Sequence, residues 1–170
     1  FSTLDVRRPG FARAVEVARA AGFPPVLRLA GGHAAAFFSS AVAFAWATPD
    51  PDAALHIEPR FERLTGWIVS ALSALGLDAR VGALPREYCP GDFSVHVAVP
   101  RPGGGERRIK VMGVGQRVIR GAAHVGGVVT VGDGERLRAL LDPVYQALDL
   151  DFDPGTAGGF AEADDSLTPE

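Results

Sequence analysis

The one cysteine among 170 residues, Cys89, stands in Glu87-Tyr88-Cys89-Pro90-Gly91-Asp92-Phe93, a run that reads as a loop. About twenty residues on, Ile109-Lys110-Val111-Met112-Gly113-Val114-Gly115-Gln116-Arg117 puts a lysine in an apolar strand that runs into glycines. A thiol and an amine joined by a hairpin suggest acyl chemistry. The thiolate is the reactive form of cysteine, and a nearby cation lowers a thiol pKa from about 8.5. Nucleophilic catalysis by cysteine needs such activation. Pro90 is expected to restrict Cys89 to extended backbone. Lys110 is expected on the face opposite Ile109 and Val111, its stem along apolar surface and its amine at a polar site. Taken singly, Cys89 reads equally as a packed thiol and Lys110 as an edge-strand lysine. A third segment, Arg28-Leu29-Ala30-Gly31-Gly32-His33, ends a strand in paired glycines that let backbone N–H groups approach a ligand, or that simply turn the chain.

Elements must position these groups. Apolar spacing predicts a helix over Gly10–Gly22 and a longer one over Glu58–Leu75, whose stripe is Phe61, Leu64, Trp67, Ile68, Ala71, Leu72 and Leu75. A third closes the domain from Gly134 to Leu148. Strands are expected at Pro25–Leu29, Ala34–Phe38, Ala41–Ala47, Asp78–Gly82, Phe93–Val99, Ile109–Gly113 and Ala122–Val131. The pair Ala34–Phe38 and Ala41–Ala47 lacks polar alternation and reads as covered on both faces. The sum is an α+β domain, helices packed on a mixed, mostly antiparallel sheet, over residues 1–150. An acidic tail, 151–170, reads as extended or disordered, and Phe1–Asp5 as the end of a strand already under way.

Composition narrows the class. A 47% hydrophobic content suits one ordinary core. The net charge of −3 argues against a nucleic-acid footprint. One cysteine makes no internal disulfide, so a reduced, cytoplasmic setting is the default. No apolar run approaches the length of a membrane span, and no signal peptide is visible. No Cys/His grouping reaches metal-ligand spacing, so no metal site is expected. His56 and His96 read as surface residues, and Asp5 and Asp92 do not form a carboxylate pair.

In order and spacing, the three segments resemble the lipoate–protein ligase and octanoyltransferase superfamily, which shares its fold with biotin–protein ligases. Leu27-Arg28-Leu29-Ala30-Gly31-Gly32-His33-Ala34 is similar to its Arg-x-x-Gly-Gly-Gly loop, and Lys110 through Arg117 to its Lys-x-x-Gly-x-x-x-Arg segment. Tyr88-Cys89-Pro90-Gly91 most resembles the octanoyl-[glycine cleavage protein H]:protein amidotransferases, which carry the acyl group on a cysteine in this loop.

The resemblance implies an acyltransferase of protein lipoylation. Cys89 would form an octanoyl or lipoyl thioester, and Lys110 would hold the acyl carbonyl oxygen. Arg28, Gly31, Gly32, His33 and Ala34 would line the acyl tunnel and its mouth, with Gly113, Gly115, Gln116 and His124 around it. His33 reads either as a base for the incoming lysine or as a structural donor, and His124 equally as supporting or idle. Partners would be lipoyl-carrier domains: the glycine cleavage protein H and dehydrogenase E2 lipoyl domains. No cofactor is expected for this reaction.

Two other readings stand beside it. One is an ATP- and Mg-dependent lipoate–protein ligase that makes lipoyl-adenylate, with Lys110 on the acyl carbonyl and phosphate. The other is a non-catalytic binding subunit of a split ligase. Departures from the pattern are His33 in place of the third glycine, Phe37-Phe38 where many ligases carry His-Asp, and the family's first strand and helix, which are not found.

Overall fold

The computed structural model describes residues 1–168. Its elements in chain order are α1 (Thr3–Val6), α2 (Phe11–Ala20), β1 (Ala41–Pro49), α3 (Ile57–Ala74), β2 (Ala79–Val81), β3 (Val95–Pro100), β4 (Glu106–Ile119), β5 (Ala122–Thr130) and α4 (Gly134–Ala147). Two 3₁₀ turns follow, Pro154–Thr156 and Phe160–Glu162. The strands form one sheet in the order β1-β5-β4-β3-β2, and every strand pair is antiparallel. The α+β class stands. No helix among the described residues is long and apolar enough to cross a membrane.

Two apolar clusters hold the fold. Ala14 and Ala18 of α2 pack with Leu137, Leu141, Val144 and Tyr145 of α4, around Tyr88 and Phe152. Small residues on α2 let the two helices approach closely. The second cluster joins Val95, Val97, Val99, Ile109, Val111, Met112 and Val129 of the sheet to Leu72 of α3 and to Phe160.

Several expectations are corrected. Pro25–Leu29 and Ala34–Phe38 form no strand. Four buried or half-buried alanines and phenylalanines there pack on the helices instead, and an apolar run alone does not tell these outcomes apart. β1 is an edge strand with exposed positions along its length rather than a doubly covered one. Phe1–Asp5 is no strand: Ser2 caps the short α1, accepting from Leu4 N, while Asp5 accepts from Ser2 N. Trp67 on α3 and Leu75 at its C-cap are exposed, whereas Arg60 and Thr65 are buried. Arg60 is drawn inward because it pairs with Asp50 at 2.6 Å and with Gln116 at 3.0 Å.

The tail is ordered as far as it is described. Phe152, Ala157 and Phe160 are buried, and Glu162 pairs with Arg107 and Arg138 at 2.8 Å each. The first half of β4 pairs with β3 alone, because β5 begins its pairing at Met112. Ala157 bridges to Lys110 on that free side of β4. Acidic composition suggested solvation, but the buried aromatics decide the outcome.

Candidate functional site

Three segments meet at the thiol. The sulfur of Cys89 accepts the backbone N–H of His33 at 3.2 Å and lies 3.6 Å from Nη2 of Arg28. Arg28 also shapes the glycine loop, donating to Gly31 O at 2.9 Å and to His33 O at 2.6 Å. Gly32 has φ +87°, and a Cβ there would stand 2.6 Å from the sulfur. Gly32 therefore serves two needs here, a left-handed turn and close approach of backbone to the thiol, whereas Gly31 has open space around it. Cys89 as a residue is half-buried.

Cys89 itself has φ +43°. That left-handed backbone overturns the extended conformation expected from Pro90. Such a conformation in a non-glycine residue costs of order 1–3 kcal/mol and persists where surroundings over-determine it. Here both sides of the residue are held. Its N–H donates to the Tyr145 hydroxyl at 2.6 Å, and that hydroxyl donates in turn to Ala34 O at 2.8 Å. Its carbonyl accepts from Lys110 Nζ at 2.7 Å.

Lys110 is fully buried. Its remaining two N–H groups go to Glu87 Oε1 at 3.0 Å and to Tyr88 O at 2.9 Å. An ammonium has three donors, so all are spent on the cysteine loop. Burial lowers the Lys110 pKa, and the Glu87 carboxylate opposes that shift. Glu87 is equally buried, and it also accepts from Ser94 Oγ, Leu84 N and Gly91 N. The pair is thus a fully satisfied buried ion pair under the loop that carries the thiol.

A bulge follows the lysine. Val95 pairs with Met112 while His96 pairs with Lys110, so Val111 is an extra residue on β4. Downstream of it, every side chain changes face relative to simple alternation. Met112 thereby joins Ile109 and Val111 in the sheet cluster.

The remaining residues singled out from the sequence divide. Gly115 lies against the glycine loop, since a Cβ there would meet the Ala30 side chain at 3.3 Å. Gly113 lies 3.6 Å from the Lys110 stem by the same measure. Gln116 is turned to α3, accepting from Arg60 and donating to Ile57 O at 2.8 Å. His124 is exposed and pairs with Arg117, seven positions along β4 from Lys110, about 20 Å at strand rise. It is not among the groups at the thiol. His96 is buried rather than a surface residue, its Nδ1 accepting from Arg108 Nε at 2.6 Å.

The sequence reading missed Glu87, Tyr145 and Asp5. Glu87 stands two residues before the cysteine and could have been found by asking what a buried Lys110 would pair with. Asp5 accepts on Oδ1 from His33 Nδ1 at 2.8 Å and is fully buried. Two surface grooves, one around Phe1, Phe11 and Leu27 and one around Asp133, Arg138 and Glu162, are not lined by Cys89. Among the described residues no cluster of three metal-ligating side chains forms.

A half-buried cysteine on a strained turn, its sulfur accepting the His33 N–H at the end of a Gly-Gly loop, thus sits in an α+β domain. Residues 11–148 match the family model described as the lipoyl protein ligase A/B catalytic domain. The chain belongs to that family. It is similar to an octanoyl-[GcvH]:protein N-octanoyltransferase of Exiguobacterium sp. (strain ATCC BAA-1283 / AT1b), 26% identical over 135 residues. That match takes in 79% of this chain and 45% of the relative, so the chain spans about half the relative's length. Among solved structures it resembles a lipoate-protein ligase A bound with ATP, with TM-score 0.54 and 19% identity, covering 89% of this chain and 68% of that one. A second likeness is the bi-partite lipoate protein ligase from Thermoplasma acidophilum, studied with its E2 lipoyl domain. There the TM-score is 0.51 at 19% identity, over 89% of this chain and 67% of that one. These likenesses show the fold.

Proposed function

We propose that the protein is an acyltransferase of protein lipoylation that moves an octanoyl or lipoyl group between carrier lysines through a thioester on Cys89. The observation that carries this reading is the donor set at the sulfur: His33 N–H at 3.2 Å and the Arg28 guanidinium at 3.6 Å. Donors so placed stabilise a thiolate. Once the sulfur is acylated, they lie beside the thioester carbonyl, where negative charge grows as the tetrahedral adduct forms. The oxyanion contacts thus fall to the glycine loop and Arg28, and Lys110 holds the loop from beneath.

The chemistry is an exchange. The thiolate attacks the amide carbonyl of an acylated carrier lysine, the C–N bond breaks, and the amine leaves with a proton. An acceptor lysine then attacks the thioester, and sulfur leaves as thiolate. Carriers of the glycine cleavage protein H and E2 lipoyl type are the partners this reading expects, in a cytoplasmic setting and with no cofactor.

The ligase reading needs ATP and magnesium, with Lys110 contacting the acyl carbonyl and phosphate. All three Lys110 N–H groups are committed to Glu87 and to the Tyr88 and Cys89 carbonyls. The residues present do not fit an adenylate at that amine, and the geometry favours the transferase. A silent binding subunit of a split ligase would not need a strained, donor-flanked thiol.

Intact-mass spectrometry after mixing with an octanoylated lipoyl domain tests the reading. A hydroxylamine-labile adduct of one octanoyl group is expected, and Cys89→Ser abolishes both adduct and transfer. ATP-dependent acylation that survives Cys89→Ser would overturn it.

A further inference from the structure

Asp5 is a fully buried carboxylate that the transfer scheme above leaves unused. Its Oδ2 accepts the Ser2 N–H at 2.8 Å, which is the whole of its part in the cap of α1. Its Oδ1 is spare for the cap and meets His33 Nδ1 at 2.8 Å. The Ser2 hydroxyl also donates to Gly32 O, so the capped turn is tied to the same loop at a second point. His33 is the residue whose own N–H reaches the Cys89 sulfur. Its side chain keeps 22% exposure, whereas Asp5 has none.

An ionised carboxylate only accepts, so the ring carries its proton on Nδ1 and presents Nε2 as an acceptor. Among the described residues no hydrogen-bond partner occupies Nε2. The reaction has a use for such a nitrogen. A carrier lysine has an ordinary pKa of about 10.4, so roughly one in a thousand or fewer is a neutral nucleophile at pH 7.

Resting on the thioester reading, we infer that His33 is the acid and base of acyl exchange and that Asp5 is its positioning residue. In the loading step the imidazolium gives its Nε2 proton to the leaving lysine nitrogen as the C–N bond breaks. In the discharge step neutral Nε2 takes a proton from the incoming ammonium and releases it to water at the exposed ring edge. The amine forms a C–N bond to the thioester carbon and loses its second proton to Nε2. The C–S bond breaks with its electron pair returning to sulfur. Loading and discharge are one reaction run in opposite directions, so one group serves both.

The test uses two nucleophiles on octanoyl-loaded protein, prepared with octanoyl-CoA and followed by intact mass. Nα-acetyl-lysine amide must be deprotonated before it attacks, and hydroxylamine at pH 7 is already neutral. His33→Gln is expected to lower the ratio of lysine to hydroxylamine discharge by about 100-fold, within the usual range for a lost general base. Asp5→Asn keeps an oxygen for the Ser2 cap but can offer the ring an N–H, favouring the other tautomer, and is expected to lower the ratio about tenfold. In the double variant the ratio equals that of His33→Gln, because Asp5 acts only through the ring. Ratios within twofold of the unaltered protein in both single variants would overturn the inference. So would a further tenfold drop in the double variant, which would mark Asp5 as acting independently. Failure of the unaltered protein to form an adduct with an octanoylated lipoyl domain would instead overturn the thioester reading beneath it, and the two failures are told apart by that mass.

Discussion

Replacing Lys110 by methionine separates the two jobs assigned to this residue. Methionine matches the stem in length and keeps contact with the Tyr88 ring, over which the ammonium sits at 4.8 Å. What it removes is three hydrogen bonds and one charge. Glu87 stays buried and keeps Ser94 Oγ, Leu84 N and Gly91 N. The carbonyls of Tyr88 and Cys89 lose their Lys110 donor. Removing one partner of a buried pair costs about 3–5 kcal/mol, and the surviving donors on Glu87 argue for the lower end. For a chain of this size each kcal/mol moves the melting temperature by about 2–4 °C. Lys110→Met should therefore melt roughly 6–12 °C below the parent.

Glu87→Gln in the same chain removes the stranded charge while keeping an acceptor for Ser94, and should recover about half of that loss. Urea denaturation and thermal melts of both variants make the measurement. A Lys110→Met protein less than 1 kcal/mol below the parent would refute the buried-pair account, and one that melts normally but loads no octanoyl group would restore the direct oxyanion role.

Tyr145→Phe leaves the Cys89 N–H and the Ala34 carbonyl without their shared hydroxyl, a loss of about 1–3 kcal/mol by urea titration. A neutral result would show that water replaces the bridge. Gly32→Ala puts a methyl 2.6 Å from the thiol at φ +87°, and should lower octanoyl loading at least tenfold and stability by about 1–2 kcal/mol. Gly31→Ala, which meets nothing within 4 Å, should stay within about 0.5 kcal/mol of the parent. Burial raises the pKa of both Tyr88 and Tyr145. The folded state keeps two protons that the unfolded chain gives up above about pH 10. Stability is full below that point and falls above it, at about 1.4 kcal/mol per proton and pH unit. Burial of Lys110 works in the opposite sense, but only up to about pH 10.4, where unfolded lysine also deprotonates. Urea midpoints that do not fall between pH 10 and 11.5 would contradict this.

Helices were the most legible part of the sequence. Periodicity and glycine stops put α2, α3 and α4 within a few residues of their observed bounds, because burial of one face is a local pattern. The strands at Ala34–Phe38 and Pro25–Leu29 failed because an apolar run reports burial and not backbone conformation. At the site, residue types were legible and geometry was not. Alternation correctly placed Ile109 and Val111 together, but no residue pattern announces that Val111 is extra. The bulge therefore hid the side on which Met112 would fall. Likewise Pro90 gave a local rule for Cys89, and tertiary hydrogen bonds from Tyr145 and Lys110 overrode it. Asp5 lay in a segment read as strand, so its approach to His33 had no signal.

These corrections change how the thiol is served. A lysine paired at 3.0 Å with a carboxylate has much of its field offset by that charge, although Cys89 is still near enough to interact with it. On the proposed reading, the donors nearest the sulfur are the His33 N–H and the Arg28 guanidinium. Lys110, spent on Glu87 and on the Tyr88 and Cys89 carbonyls, fixes the backbone of the proposed nucleophile without pinning its sulfur to an ammonium. A sulfur held too tightly by a cation is a poor nucleophile, since reactivity falls with thiol pKa. The division also explains why Cys89 tolerates a left-handed backbone. The strain is held by contacts to its N–H and its carbonyl, and the side chain alone is left for chemistry.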